Sequence, residues 1–219
     1  MALPYHTPQA SQKDMSVNRR QFFTASASAI SSAALASNLV RTASAREKSA
    51  NHQNSICVFT KPFNSLSFDE LGEKIAAIGY DGIEAPIRKG GHVDPTNVAD
   101  ELPKLVEALA KHNIEITVMT SDLNDPDDET TERILRTAAT LGIKRYRMKY
   151  VHYDQDIPVA DQIATWHDQF TDLAAINHDC GITGLYQNHA GSEYMGAAIW
   201  DLDRVLEGID PTDIGMAYD

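Results

Sequence analysis

Two cysteines in 219 residues, Cys57 and Cys180, are too few and too far apart for a disulfide framework. Neither belongs to a Cys-x-x-Cys pattern, so zinc or dithiol chemistry has no support. They read as two buried small hydrophobes, with a disulfide left open if the protein works outside the cytoplasm. Basic residues are also scarce: 19 Lys and Arg stand against 31 Asp and Glu, for a net charge of −12. So acidic a surface repels phosphate backbones, which argues against a nucleic-acid partner. Long apolar runs are missing too. The longest candidate, Thr24 to Val40, covers 17 residues and is interrupted by serines, whereas a membrane span takes about 20. No Gly-x-Gly-x-x-Gly follows the first strand candidate, so a dinucleotide-binding fold loses support.

What is present divides at about residue 55. The first part is rich in Ala and Ser and almost without acids. It contains Arg19-Arg20-Gln21-Phe22-Phe23, then the mild apolar stretch, then Ala43-Ser44-Ala45. A basic start, an apolar middle and a small-residue exit form the layout of a cleaved export signal. The paired arginines followed by aromatics resemble a twin-arginine signal. Residues 1–45 are therefore expected to be that signal and 46–55 a linker, with Met1 or Met15 as the start. Export to the periplasm or the extracellular space follows, with no membrane anchor kept after cleavage.

From residue 56 a regular cadence begins. Ile56 to Thr60 is a short run rich in β-formers. Ser67 with Glu70 forms a capping box, and Phe68, Leu71, Ile75 and Ile78 fall on one helical face that Gly79 ends. The unit repeats, so that strands start near 56, 82, 114, 146, 183 and 214. Helical stripes lie between them: Leu102 to Leu109, Ile134 to Leu141, Ile163 to Ile176, and Leu202 to Leu206. Strands alternating with helices call for a parallel sheet. The expected fold is α/β, a (β/α)8 TIM barrel cut short after about six strands over 56–219. A complete barrel takes about 250 residues, and 174 lie from Arg46 onward. An open doubly wound sheet is the alternative.

In a barrel, reacting groups collect at the C-terminal ends of the strands. Those ends carry Thr60-Lys61, Glu84 with Arg88 and His92 in the following loop, Thr120-Ser121-Asp122, Lys149 within a strand read as Tyr146 to Val151, Gln187-Asn188-His189, and Asp219. Nitrogen and oxygen donors converging on one mouth suit polyol binding and metal coordination. Each alone has a plainer reading: Glu84 pairing with Arg88, Lys149 reaching solvent, a strand-end His held by a hydrogen bond. The acids from Asp122 to Glu129 lack the glycine of an EF-hand loop and read as helix capping before Thr130.

Four segments, Gly82-Ile83-Glu84, Gly90-Gly91-His92-Val93, Tyr186-Gln187-Asn188-His189-Ala190-Gly191 and Ile214-Gly215-Met216-Ala217-Tyr218-Asp219, resemble the xylose-isomerase-like barrel family of sugar (phosphate) isomerases and epimerases. The resemblance runs from about residue 55 to the end. It implies a small carbohydrate substrate and one divalent ion, Mn²⁺, Mg²⁺ or Co²⁺. That ion assists proton transfer between adjacent carbons through an enediolate. By position it assigns Asp219 and Gln187 to the metal, Glu84, Gln187 and His189 to catalysis, and His92, Lys149 and Asn188 to the substrate. Gln187 stands where the family usually has Glu; an amide coordinates more weakly and is no base. The ligands of strands seven and eight are expected to be absent. Homo-oligomers are common in the family and are implied here. The alternative is a non-catalytic, truncated remnant or a carbohydrate-binding relative. A barrel relative that cuts abasic DNA would need a basic face, which this composition opposes.

Overall fold

The computed structural model describes residues 54–219. The export signal and most of the linker expected over residues 1–53 lie outside the described residues. Six parallel strands form one sheet in chain order. They are β1 (Cys57–Phe59), β2 (Gly82–Pro86), β3 (Glu115–Thr120), β4 (Arg145–Arg147), β5 (Thr183–Gln187) and β6 (Ile214–Ala217). Five α-helices alternate with them: α1 (Phe68–Ile78), α2 (Val98–Ala110), α3 (Thr131–Thr140), α4 (Val159–Cys180) and α5 (Trp200–Val205). Each helix packs beside the next in chain order. This is the α/β barrel-type arrangement. Among the described residues no helix is long and apolar enough to cross a membrane.

Local chemistry explains the boundaries. The Ser67 hydroxyl accepts from the Glu70 N–H at 3.3 Å, and Glu70 Oε2 accepts from the Ser67 N–H at 2.8 Å, closing the capping box. Gly79 ends α1 at φ 96°, a conformation that costs other residues. Before α3, Asp128 Oδ1 accepts from the Thr130 N–H at 2.8 Å and its hydroxyl at 2.7 Å. These bonds hold the Asp128 carboxyl below its usual range, with Lys149 and Arg133 adding to the effect. Asp128 is thus spent on the helix entrance.

The period-two alternation of the strands sorts the sheet's faces. Ile83, Ala85, Met119, Tyr146 and Tyr186 point under the helices and are fully buried. There they join Leu71, Ile75, Leu102, Leu105, Ile134, Leu135, Phe170 and Leu173 in one core. Burying each large apolar side chain stabilises by about 1.5–3 kcal/mol. Two polar groups enter this layer as a matched pair. Tyr146 Oη donates to Asn177 Oδ1 at 3.1 Å, and Asn177 Nδ2 donates to the Asp213 carbonyl at 3.0 Å, linking β4, α4 and the approach to β6. The other face carries half-buried Phe59, Glu84, Val118, Arg147, Leu185 and Gln187.

Two expectations are corrected. The cysteines are free but half-buried rather than buried. The fourth strand is Arg145–Arg147 rather than Tyr146 to Val151. The chain leaves the ladder because the Lys149 N–H donates to the Leu123 carbonyl at 3.0 Å and the Val151 N–H to Tyr186 Oη at 3.0 Å.

Candidate functional site

A register shift prepares the site. Ile83 pairs with Ile116 but Glu84 pairs with Val118, so Thr117 is an extra residue in β3. A bulge of this kind re-aims the residues that follow. Thr120 thereby reaches Glu84 while Met119 stays in the core.

Arg147, at the end of β4, is the hub. Its Nε lies 2.9 Å from Glu84 Oε1, with the two side chains 16% and 22% exposed. Nη1 donates to Gln187 Oε1, and Nη2 lies 3.4 Å from Thr120 Oγ1. The guanidinium carbon sits 5.2 Å from the centroid of the Phe59 ring, a cation–π distance. The Thr120 hydroxyl donates to Glu84 Oε1 as well. Tyr150 Oη gives Gln187 Oε1 a second donor. Burial pushes the Tyr150 phenol up, so it remains a donor. Gln187 Nε2 in turn donates to Asp219 Oδ2 at 3.0 Å. One connected row, Glu84–Arg147–Gln187–Asp219, thus crosses the mouth from β2 to β6.

The remaining expected residues take distinct places. Asn188 pairs with the backbone of Asp219: Nδ2 donates to its carbonyl at 2.9 Å, and Oδ1 accepts from its N–H at 2.7 Å. His92 lies on the β2–α2 loop with Nε2 2.9 Å from Thr60 Oγ1. The Thr60 hydroxyl donates to the Glu84 carbonyl at 3.1 Å, so His92 Nε2 is the donor and Nδ1 is left to accept. Burial holds the His92 pKa below its usual 6.5. His189 Nδ1 donates to the Ala190 carbonyl at 2.7 Å, which turns Nε2 of the neutral ring into an acceptor. Its ring packs 4.7 Å from Tyr150 and 4.2 Å from Tyr194. The His152–Tyr194 bridge joins the loops after β4 and β5 and gathers these rings. Lys149 is exposed, and its charge acts on Asp128.

Glu84 is paired, but with Arg147 rather than its sequence neighbour Arg88, which lies 4.0 Å from Asp122. Arg147 and Tyr194 are not among the strand-end candidates, whereas Thr60, Thr120 and Tyr150 stand at or near strand ends without an assigned role. Arg147 carried a usable signal: it alternates with apolar Tyr146 and Met148, which assigns it to the opposite face.

Gln187 and Asp219, the expected metal ligands, are neighbours. However, Gln187 Oε1 already accepts from a guanidinium, and that fixed positive charge opposes a dication beside it. Among the described residues no three His, Cys, Asp or Glu side chains cluster to hold an ion. These donors alone do not make up a divalent site.

Residues 73–219 match the family described as xylose isomerase-like TIM barrel. No curated protein matches. Among solved structures, D-psicose 3-epimerase in the presence of D-fructose is similar at TM-score 0.53 and 17% identity, over 76% of this chain and 63% of that one. The 3-keto-D-glucoside 4-epimerase of E. coli is similar at TM-score 0.58 and 15% identity, over 76% and 68%. The IolI protein, which holds a zinc atom, is similar at TM-score 0.56 and 16% identity, over 74% and 62%. The chain thus spans under two thirds of the length of D-psicose 3-epimerase and of IolI. At these identities the likeness is one of fold. The family match covers well over half of the sequence, and the chain belongs to the xylose isomerase-like TIM-barrel family.

Proposed function

We propose that this protein binds a small carbohydrate at the strand ends and acts as a sugar isomerase or epimerase. The observation that carries the reading is the row Glu84–Arg147–Gln187–Asp219, drawn from four strand ends into one mouth. Donors and acceptors alternate along it, as a polyol with vicinal hydroxyls requires. The rings of Tyr150, His189 and Tyr194 beside it offer flat faces to a sugar ring. Arg147 is the electrophile closest to hand for a substrate carbonyl oxygen. Glu84 and Asp219 are the carboxylates that could move a proton between adjacent carbons. Epimerases among the structural neighbours support the same class.

A divalent ion is a separate part of this proposal, and it would need donors beyond Asp219 and Gln187. Asp219 and Gln187 would contribute oxygens, and the ion would supply Lewis-acid polarisation of the carbonyl. Export of the chain and self-association are proposed with it.

Gln187 favours a second reading, carbohydrate binding without turnover, because an amide cannot take a proton from carbon. One experiment separates the two. Ketohexoses and aldohexoses are incubated with the protein, with and without Mn²⁺, and the sugars are resolved by chromatography. A new epimer or isomer supports the enzyme. Saturation-transfer NMR signals from sugar protons without conversion support binding alone. Absence of both sinks the carbohydrate reading. Gln187→Glu is the companion variant: if the metal step holds, Mn²⁺ binds it more tightly than the parent in calorimetry.

A further inference from the structure

The rim of the mouth reverses the sign of the molecule. The chain carries 31 acids against 19 bases, yet a cavity of about 290 Å³ beside β1 and β2 is lined by Lys61, Arg88 and Lys89 with one carboxylate, Asp122. Arg88 approaches Asp122 only at 4.0 Å, and that carboxylate is half exposed, a geometry worth little. Among the described residues, neither Lys61 nor Lys89 has a carboxylate within ion-pair distance. The nearby Asp94 directs Oδ1 to Thr96, at 3.0 Å from its N–H and 2.7 Å from its hydroxyl.

The loop is built to hold these cations together. A Cβ on Gly91 would stand 2.2 Å from the Pro86 carbonyl oxygen, so the turn closes tightly only with glycine there. The carbonyl of Gly90 accepts from Asn64 Nδ2 at 2.7 Å, tying this loop to the short 3-10 turn that carries Lys61. The pocket also adjoins the proposed sugar site. The guanidinium carbons of Arg88 and Arg147 lie 5.9 and 5.2 Å from the centroid of the same Phe59 ring.

We propose that Lys61, Arg88 and Lys89 form an anion-binding subsite that takes a carboxylate or phosphate group on one end of the carbohydrate. This rests on the carbohydrate reading above and narrows its substrate to an acidic sugar. A compact oxyanion suits the chemistry: Arg88 offers a planar fork of donors, and the two ammonium groups add point charges without fixed geometry. In an acidic molecule such a patch also focuses the field that draws an anion to the mouth.

The test is calorimetry on the full chain at low salt with inorganic phosphate, glucose 6-phosphate, gluconate and glucose. Charge-assisted bonds predict that at least one of the two anionic sugars binds about tenfold or more tighter than glucose. Which one binds tells phosphate from carboxylate. Lys61→Ala with Lys89→Ala removes that advantage and leaves glucose unchanged; both residues are exposed, so folding is spared. Lys104→Ala with Lys111→Ala, within and at the C-terminal end of α2, keeps the advantage. Should glucose bind as tightly as both anions, or should the α2 pair lose as much as the rim pair, the subsite is overturned while the carbohydrate site stands. If inorganic phosphate binds through Lys61 and Lys89 and none of the three sugars binds, the pocket stands and the carbohydrate reading falls.

Discussion

Replacing Arg147 by methionine removes the hub of the mouth while keeping most of its hydrocarbon. Four interactions go at once: the 2.9 Å pair with Glu84, the bond to Gln187, the 3.4 Å approach to Thr120 Oγ1, and the contact with the Phe59 ring. Removing one partner of a fully buried pair costs about 3–5 kcal/mol, and a surface pair is worth about 0–1 kcal/mol. Glu84 and Arg147 are 22% and 16% exposed, so solvent screens part of the attraction and an intermediate loss of about 2 kcal/mol is expected. The ring contact adds about 0.5–1 kcal/mol. Urea unfolding would read this as a midpoint lowered by about 1 M, with slopes of about 1–3 kcal/mol/M. Glu84→Gln tests the pairing directly. In a double-mutant cycle the two changes should couple by about 1–2 kcal/mol, because each alone strands the other's partner. If Arg147→Met shifts stability by less than about 0.5 kcal/mol, or the coupling vanishes, Arg147 is solvated and the row across the mouth does not organise it.

Three further expectations concern single residues. Burial lowers the His92 pKa from 6.5, so the unfolded chain binds this proton more readily. The resulting stability is present above about pH 6.5 and is lost as pH falls toward the depressed folded value. His92→Gln should flatten that part of the stability-versus-pH curve between pH 7.5 and 5, and an unchanged slope would show that His92 is not its source. Gly91→Ala, whose Cβ would stand 2.2 Å from the Pro86 oxygen, should cost about 2 kcal/mol or more in thermal or urea unfolding; a neutral result would mean the loop relaxes. Tyr146→Phe leaves the buried Asn177 Oδ1 without its donor and should cost about 1–2 kcal/mol, with slower amide exchange than wild type as the contrary outcome.

The strand cadence was legible almost to the residue. Starts expected near 56, 82, 114, 146, 183 and 214 stand at 57, 82, 115, 145, 183 and 214. Each start is marked by a glycine, a cap or an apolar run, which are local signals. The capping box at Ser67 and the stop at Gly79 are local in the same way. The end of β4 was not legible, because the acceptor that takes the Lys149 N–H belongs to Leu123, far off in the chain. That misplaced end drew attention to Lys149 and away from Arg147. The partner of Glu84 was hidden for a similar reason. Sequence proximity offers Arg88, whereas the sheet brings Arg147 across two strands, and the extra residue at Thr117 sets which β3 side chain joins them.

Gln187 makes physical sense once its neighbours are known. Its oxygen meets a guanidinium and a phenol, and its nitrogen meets the carboxylate of Asp219. A glutamate in the same pose would keep the first two contacts but set a second carboxylate oxygen about 3 Å from Asp219 Oδ2. Like charges that close raise one carboxyl pKa unless a cation lies between them. Arg147 cannot serve, because it approaches from the opposite side of the amide. The amide therefore lets a positive and a negative group share one bridging side chain with both polar ends satisfied. The row alternates carboxylate, guanidinium, amide, carboxylate. A ligand that enters it has to replace bonds already made, so binding will favour molecules that present an acceptor to Arg147 and a donor to Asp219 at the same time. A carbonyl or ring oxygen beside a hydroxyl supplies both, and a carbohydrate carries that pair repeatedly along its backbone.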